Sequence, residues 1–487
     1  MKTLLTVLTC ICWVLNISCQ EQVLNIGNTL HEGYRFVDNS YTAVGKNSFC
    51  LFINNNKDIT ARMYSKDLNL IGEFLADTFP NKYLNILGFT IKDHQLRYFL
   101  QKRNKNKFGS IVFDFDSLKT VENEFDFKLE KEVYIESFGR EDKFYLITVD
   151  KNSNLLNLYI FNHDGSYIKT PYNFSNKTLK DSKGNNQTLY DILTQSLIFM
   201  KFIEASYIKD DAKQSLDVSN NTNKLYPTEN GFILTADKSD LATYLFLYNS
   251  DDNTLTFDML IKNKLVGEYK PGEIRTNSFF LDNKLFQIVV SKDEMIANVS
   301  NITSKQELKR WTLSSKDEKI GFSNSAIIIE GGAYNRTRIR EIEKPSKFLR
   351  KVNNKNVGIL SKKIGENYQV IFGASVTSQG YVGPAMFTIS TGAAGQVAPS
   401  YTWFGHHYNY LNYKYTKSTR IEGLYNSSFE QLDDSIPEPV FEKISSFEDT
   451  LKYKKATTTF KFNNNYYYGY YHIKNKEYLI YQFPVSE

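Results

Sequence analysis

Cysteine is almost missing from this 487-residue chain. Three of its four copies, Cys10, Cys12 and Cys19, lie in an apolar leader, which leaves Cys50 alone downstream. The remaining chain can therefore form no intramolecular disulfide and no thiolate zinc cluster. Cys50 sits in the apolar run Ser48-Phe-Cys-Leu-Phe-Ile53, where a cysteine serves as a small hydrophobe. Proline is also scarce, 10 residues against 33 Tyr and 35 Phe, a balance that suits ordered β structure rather than disorder. The net charge of +5, from 59 basic and 54 acidic residues, contains no long run of one sign, so no phosphate-binding footprint is present and nucleic acid is not an expected partner. After the leader no segment approaches the roughly 20 apolar residues of a membrane-spanning helix. Absent too are a serine nucleophile elbow, a glycine-rich phosphate loop, a dinucleotide fingerprint and HExxH. The chain carries no catalytic signature, and neither a cofactor nor a metal is expected.

The leader, residues 1–19, has the parts of a Sec signal peptide: Lys2, an apolar stretch over 4–17, and the small residue Ser18. Export is therefore expected, to a periplasmic, cell-surface or extracellular location. Cleavage after Cys19 leaves Gln20 as the first residue. Alternatively Cys19 carries a lipid anchor: Asn16-Ile-Ser-Cys19 resembles a bacterial lipobox, although Leu15 stands one position too early for that pattern.

What the chain has in abundance is hairpins. In 143–169, Phe144-Tyr-Leu-Ile-Thr-Val149 is a β-rich run, Asp150-Lys-Asn-Ser-Asn154 a string of turn formers, and 155–161 a second run closed by Asp164-Gly165. Similar hairpins begin at Ser48, Gln95 and Gly231, and fainter ones at Lys284, Ala326, Tyr368 and Tyr466, most of them roughly 40 to 55 residues apart. Such a period, built from strands, is the mark of four-stranded sheets stacked in a ring, because one small sheet cannot bury both faces alone. The pattern resembles the loose class of secreted β-propellers related to WD40 and YVTN-type repeats, without a Gly-His to Trp-Asp pairing or a kelch-type double glycine. The resemblance implies an all-β propeller of seven or eight blades spanning 20–487, and transfers no functional residue. Two unrelated β domains are the alternative.

Two stretches break the pattern and are expected as insertions, 171–230 and 392–460. Within the first, Leu189, Ile192, Leu193, Leu197, Met200, Ile203 and Ile208 are spaced by three to five, which predicts a helix over 188–210. In the second, Pro437-Glu-Pro439 followed by Val440, Ile444, Phe447 and Leu451 predicts a short helix over 439–452.

Candidate chemistry gathers in 401–415, after the most glycine- and alanine-rich part of the chain. Tyr401, Trp403, His406, His407, Tyr408 and Tyr410 offer flat aromatic faces with polar tips, the surface that a glycan or a protein partner uses. As a strand this segment would set Tyr408 and Tyr410 on one face and Tyr413 and Tyr415 on the other. The adjacent His406 and His407 then point to opposite faces and share no metal. Asp150-Lys-Asn-Ser-Asn154 supplies the first oxygen positions of a calcium loop but lacks the glycine and the closing acid, so a turn explains it better. The paired carboxylates Asp251-Asp252, Asp433-Asp434 and Glu341 with Glu343 are adjacent in sequence only. The expected function is an exported, non-catalytic propeller that binds a protein or glycan and acts as a scaffold of the cell envelope. The competing class is a propeller hydrolase or lyase acting on polysaccharide, with carboxylates contributed by several blades.

Overall fold

Runs such as Phe49, Cys50, Leu51, Phe52 and Ile53 are fully buried along their whole length. Both faces of these strands are therefore covered, as in a stack of sheets. The computed structural model describes residues 20–27, 37, 39–54, 58–77, 82–102, 107–197, 200–209, 216–270, 272–331, 339–376, 410, 411, 413 and 416–484; the leader lies outside them. Among these residues seven sheets of four or five strands, antiparallel except for one added strand, form a β-propeller. Blades 1, 2 and 3 occupy residues 39–77, 83–128 and 132–173, and blades 4 and 5 occupy 223–261 and 275–314. Each runs outward from an inner strand in chain order.

Blades 6 and 7 borrow their outer strands. Blade 6 combines Asn356–Ile364, Asn367–Val376 and Lys417–Tyr425 with Ile327–Glu330 from upstream. Blade 7 combines Lys454–Phe462, Asn465–His472 and Glu477–Pro484 with Glu21–Ile26, so the first described strand closes the ring. Most hairpins visible in the sequence are second and third strands, which are the most buried; of the copy at Tyr368 only the second strand, Asn367–Val376, is described, and its third-strand partner is Lys417–Tyr425. Their eighth copy, at Ala326, is the outer edge of blade 6 and not a blade of its own. Aromatic rings join neighbouring blades: Phe52 to Phe113 (5.1 Å), Phe99 to Phe144 (4.2 Å), Phe138 to Phe232 (6.0 Å) and Phe49 to Phe460 (5.0 Å). Cys50 is buried and free, and burial pushes its thiol pKa far up.

The first insertion is not the long helix that its spacing predicts. Helix α1 covers only Leu189–Leu193. It stops where Thr194 turns extended and bonds the Tyr190 carbonyl through Oγ1 (2.6 Å). Lys238 Nζ holds the carbonyls of Asp191 and Thr194, both at 2.6 Å. The strands Thr194–Leu197 and Met200–Ile203 then form a hairpin. Next, Ala205–Tyr207 adds parallel to the inner strand of blade 4, and a 3-10 turn, Leu216–Ser219, packs on the inner strands of blades 5 and 6. The insertion thus packs, as a plug, against the inner strands of blades 3 to 6. Its fit depends on Gly358, where a Cβ would lie 2.6 Å from Ser219 Oγ. Both insertions are narrower than the sequence implies: Tyr167–Asn173 and Asn223–Thr228 belong to blades, and Lys417–Tyr425 divides the second.

Two further helices line the ring. Helix α2, Pro345–Asn353, was not expected; it buries Phe348, Leu349 and Val352 against blades 5 and 6. Its signal, a proline at the first turn followed by apolar residues three, four and seven positions on, is short. Helix α3, Val440–Thr450, forms where expected and packs on blade 7. No helix of the described residues is long and apolar enough to cross a membrane.

Blades 4, 5 and 6 and the plug meet at a fully buried polar network. Asp237 carries ion pairs to Lys224 and Lys262, both at 3.1 Å, and accepts hydrogen bonds from Ser278 Oγ (2.6 Å) and Thr243 Oγ1 (2.7 Å). Lys224 Nζ also donates to Asn277 Oδ1 and the Asn221 carbonyl, both at 2.6 Å, and Asn277 Nδ2 donates to the Val357 carbonyl (2.9 Å). Burial opposes ionisation of Asp237, but the two lysines and two hydroxyls outweigh it and hold the carboxyl well below its usual range.

Asp237→Asn leaves two buried ammonium groups without their counter-charge and is expected to cost about 3–5 kcal/mol, read by urea denaturation. Gly358→Ala is expected to cost roughly 1–3 kcal/mol by overpacking the plug. Adding Ser219→Ala should recover most of that loss, and strict additivity of the two would place the plug elsewhere.

Candidate functional site

The turns between first and second strands of neighbouring blades meet on one face of the ring. In blades 2 and 3 these are two-residue turns, Asp93-His94 and Glu141-Asp142, whose first residues have φ of 50° and 52°. A two-residue hairpin matches strand twist only with such left-handed backbone, so the turn chemistry and the outward carboxylates come together. At Gly139 a Cβ would lie 1.6 Å from the Phe89 carbonyl oxygen, so only glycine lets the inner strands of blades 2 and 3 converge there.

Between these turns, blade 1 and the plug lies a cavity of about 600 Å³. Blade 1 contributes Lys46, Asn47 and Ser48; blade 2 contributes Phe89, Ile91 and Asp93. Blade 3 adds Phe138, Glu141 and Asp142, and the plug adds Tyr207 and Lys209. Phe138 stacks between Tyr145 (4.8 Å) and Tyr207 (5.4 Å), and Lys209 Nζ stands 5.4 Å from the centre of the Tyr207 ring. The walls of the cavity join an aromatic floor to a rim of both charges. Beside blade 2, His163 is buried and bonds Thr90 Oγ1 through Nδ1 (2.8 Å). Burial, then the charges on Arg97 and Lys92, lower its pKa to about 4, so it is a neutral imidazole at pH 7. On the inner strand of blade 3, Glu136 is buried and accepts from Tyr134 Oη and the Ser137 amide, both at 2.9 Å. Burial raises its pKa to about 7.

Of the residues that the sequence nominates, Tyr401, Trp403, His406, His407 and Tyr408 lie outside the described residues. Tyr410 is described and is a packing residue, 1 % exposed. Its ring meets Phe441 (5.6 Å) and Tyr468 (6.2 Å), and its hydroxyl donates to Glu448. Tyr410, Leu411 and Tyr413 are helical, not extended. The spacing of three puts Tyr410 and Tyr413 on one side, where both meet Phe441 at 5.6 Å. Tyr413 Oη donates to Glu442 (3.2 Å) beside a buried polar seam in blade 6, in which Arg420 pairs with Glu330 and Glu422 and Gln369 donates to Glu422. Lys362 lies in that seam, and burial lowers its pKa to about 8. The Asp150 to Asn154 turn is structural: Asn154 Oδ1 and the Ser153 carbonyl accept from the amides of Leu189 (2.7 Å) and Tyr190 (3.1 Å) and so dock α1. No group of three or more His, Cys, Asp or Glu among the described residues is placed to hold a metal. The cavity escaped sequence reading. Its only local signal is a polar two-residue turn per hairpin, and nothing in the sequence says that these turns face one another.

No family of known sequences matches the chain, and no curated protein does. Solved structures do resemble it at low scores. A prolyl endopeptidase is 6% identical with a TM-score of 0.37, over 93% of this chain and 51% of that one. The WD40 domain of SCAP from fission yeast is 8% identical with a TM-score of 0.33, over 96% and 98%. The Synechocystis apocarotenoid oxygenase is 8% identical with a TM-score of 0.29, over 56% and 61%. The chain thus spans about half the length of the first and about three-fifths of the third. Likenesses of this size carry no argument about function.

The Glu136 carboxyl makes stability depend on pH. Its pKa is raised from 4.5 to about 7 in the fold, so between those values the folded chain binds the extra proton. Its contribution is complete below about pH 4.5 and is lost as pH rises through 7, in all roughly 3 kcal/mol. Glu136→Gln is expected to flatten this part of the profile, measured by denaturation midpoints at pH 5, 6, 7 and 8.

Proposed function

We propose that the protein is an exported, non-catalytic β-propeller that binds a protein or a glycan at its channel mouth and serves as a binding or scaffolding module of the cell envelope. The supporting observation is the cavity of about 600 Å³, in which Phe89, Phe138 and Tyr207 stand beside Lys46, Asn47, Asp93 and Asp142. Concave sites of this size are the usual place for a ligand, and this one sets aromatic rings among polar groups. Under this proposal residues 1–19 are a signal peptide, with a lipid on Cys19 as the alternative, and residues 20–487 are one domain. Tyr401, Trp403, His406, His407 and Tyr408 remain candidate contacts of the same ligand.

One observation favours the second reading, a polysaccharide hydrolase or lyase. Asp93, Glu141 and Asp142 bring three carboxylates from two blades to one mouth, and glycosidases work with two carboxylates about 5–10 Å apart.

Asn47→Trp sets an indole across the mouth from an exposed turn, where the fold tolerates it. Binding to a glycan array and to cell-envelope proteins in a pull-down is expected for the natural sequence and is expected to fall at least tenfold for Asn47→Trp. Equal binding by both proteins would remove the cavity from the reading. Release of reducing ends from polysaccharide, abolished by Glu141→Gln, would replace binding by catalysis.

A further inference from the structure

We propose that His163 is an acid-released latch on the cavity: as a neutral ring it fastens blade 3 to the strand of blade 2 that walls the cavity, and as a cation it lets that strand go. The first warrant is the interface it bridges. His163 stands in the turn between Leu155–Asn162 and Tyr167–Asn173 of blade 3 and is 7% exposed. The turn is held closed: the Ser166 carbonyl accepts from the Asn162 amide (2.8 Å), and Asp164 Oδ1 accepts from the Ser166 amide (2.8 Å). The ring is thereby carried across the seam to the buried Thr90 on the inner strand of blade 2. Phe89 and Ile91, on either side of Thr90 in that strand, line the cavity. Successive side chains point to opposite faces, so the latch grips the cavity wall from behind.

The second warrant is that the same surroundings have no place for a charged ring. Nε2 is buried without a hydrogen-bond partner among the described residues, so the second N–H of an imidazolium would lack an acceptor. The charge that acts on the ring most strongly has the same sign. Arg97, on the second strand of blade 2, pairs with Thr90 in the ladder and donates through Nη1 to Ser110 Oγ (2.5 Å). It reaches beneath the turn, where a Cβ on Gly165 would lie 3.5 Å from Nη1. Of the other charges facing the ring, Lys92 opposes its protonation, while Asp142, Asp93 and the Asp164 of its own turn favour it. Burial and the two cations prevail, and the pKa falls from 6.5 to about 4. The closed seam therefore expels a proton that the open seam takes up. The hold of the latch is complete above about pH 6.5 and is lost as pH falls from there through about 4. Glu136, the buried carboxyl on the inner strand of blade 3, works with the opposite sign and gains its proton in the fold. The two effects offset one another in a global melt, so the latch is read locally. It concerns the wall itself and stands apart from what the cavity binds.

The test is hydrogen-deuterium exchange of the full Glu136→Gln chain, in which the opposing group cannot titrate. Uptake is read on peptides over 83–92 and 155–173 and corrected for the intrinsic pH dependence of exchange. Between pH 7.5 and 5 the opening of these segments is expected to rise roughly 30-fold relative to blade 5. Adding His163→Gln, which can still bond Thr90 but cannot charge, should remove the rise. Adding Arg97→Gln instead keeps the ring, takes away the facing cation and should shrink the rise, a gain in protection that misfolding would not give. Imidazole NMR of the natural sequence should show at least one of the six rings still neutral at pH 5. The latch is overturned if exchange is the same at both pH values, if blade 5 opens equally, or if the full rise survives either added substitution. Six rings charged at pH 5 would overturn it as well.

Discussion

The pairing of Glu21–Ile26 with Glu477–Pro484 is the constraint on which the rest of the structure depends. It joins residues about 450 positions apart, as in the hydrogen bond from Asn25 Nδ2 to Glu477 (2.9 Å). Bringing such distant strands together costs on the order of 5 kcal/mol of loop-closure entropy. Packing behind the pair offsets it: Ser40 Oγ meets the Ala456 carbonyl (2.7 Å) and Tyr478 Oη (2.6 Å), and Phe49 meets Phe460 and Phe462. Once the ring closes, no large sheet is left with a bare face. With no disulfide among the described residues, blade-to-blade burial of aromatic rings must carry the stability.

Closure creates a channel, and the plug decides what remains of it. The insertion after blade 3 sends Ala205–Tyr207 and Leu216–Ser219 inward, where the Asp237 network and Gly358 hold them against blades 4 to 6. The cavity lies beside blades 1 to 3, bounded by the same insertion through Tyr207 and Lys209. The buried ion pairs and the open mouth are in this sense two consequences of one insertion. The first is buried and hydrogen-bonded throughout; the second is lined by charges of both signs.

Blades 6 and 7 depart from the simple order, and each departure has a visible substitute. Each borrows its outer strand from upstream, and each is accompanied by a helix, α2 or α3, that supplies apolar side chains. Tyr410 and Tyr413 belong to the second of these arrangements. Their aromatic character, which in the sequence suggests a ligand surface, serves packing.

The strands of the ring were legible in the sequence because their cause is local. A run such as Phe144 to Val149, followed by a polar turn, can bury both faces only as a strand between sheets, and seven such hairpins need a ring. Helix α3 was legible for the same reason, its proline start and apolar face being contiguous. The extent of α1 was not, because Thr194 and Lys238 end it, and Lys238 comes from another part of the chain. The blade count was settled only when Ile327–Glu330 paired with Lys417–Tyr425. The mouth lay furthest out of reach, since Asp93, Glu141 and Lys46 sit in separate turns and become one site only through closure of the ring. Local periodicity records which side chains are buried; which turns face one another is set by contacts across the whole chain, and these leave no trace in the spacing of residues.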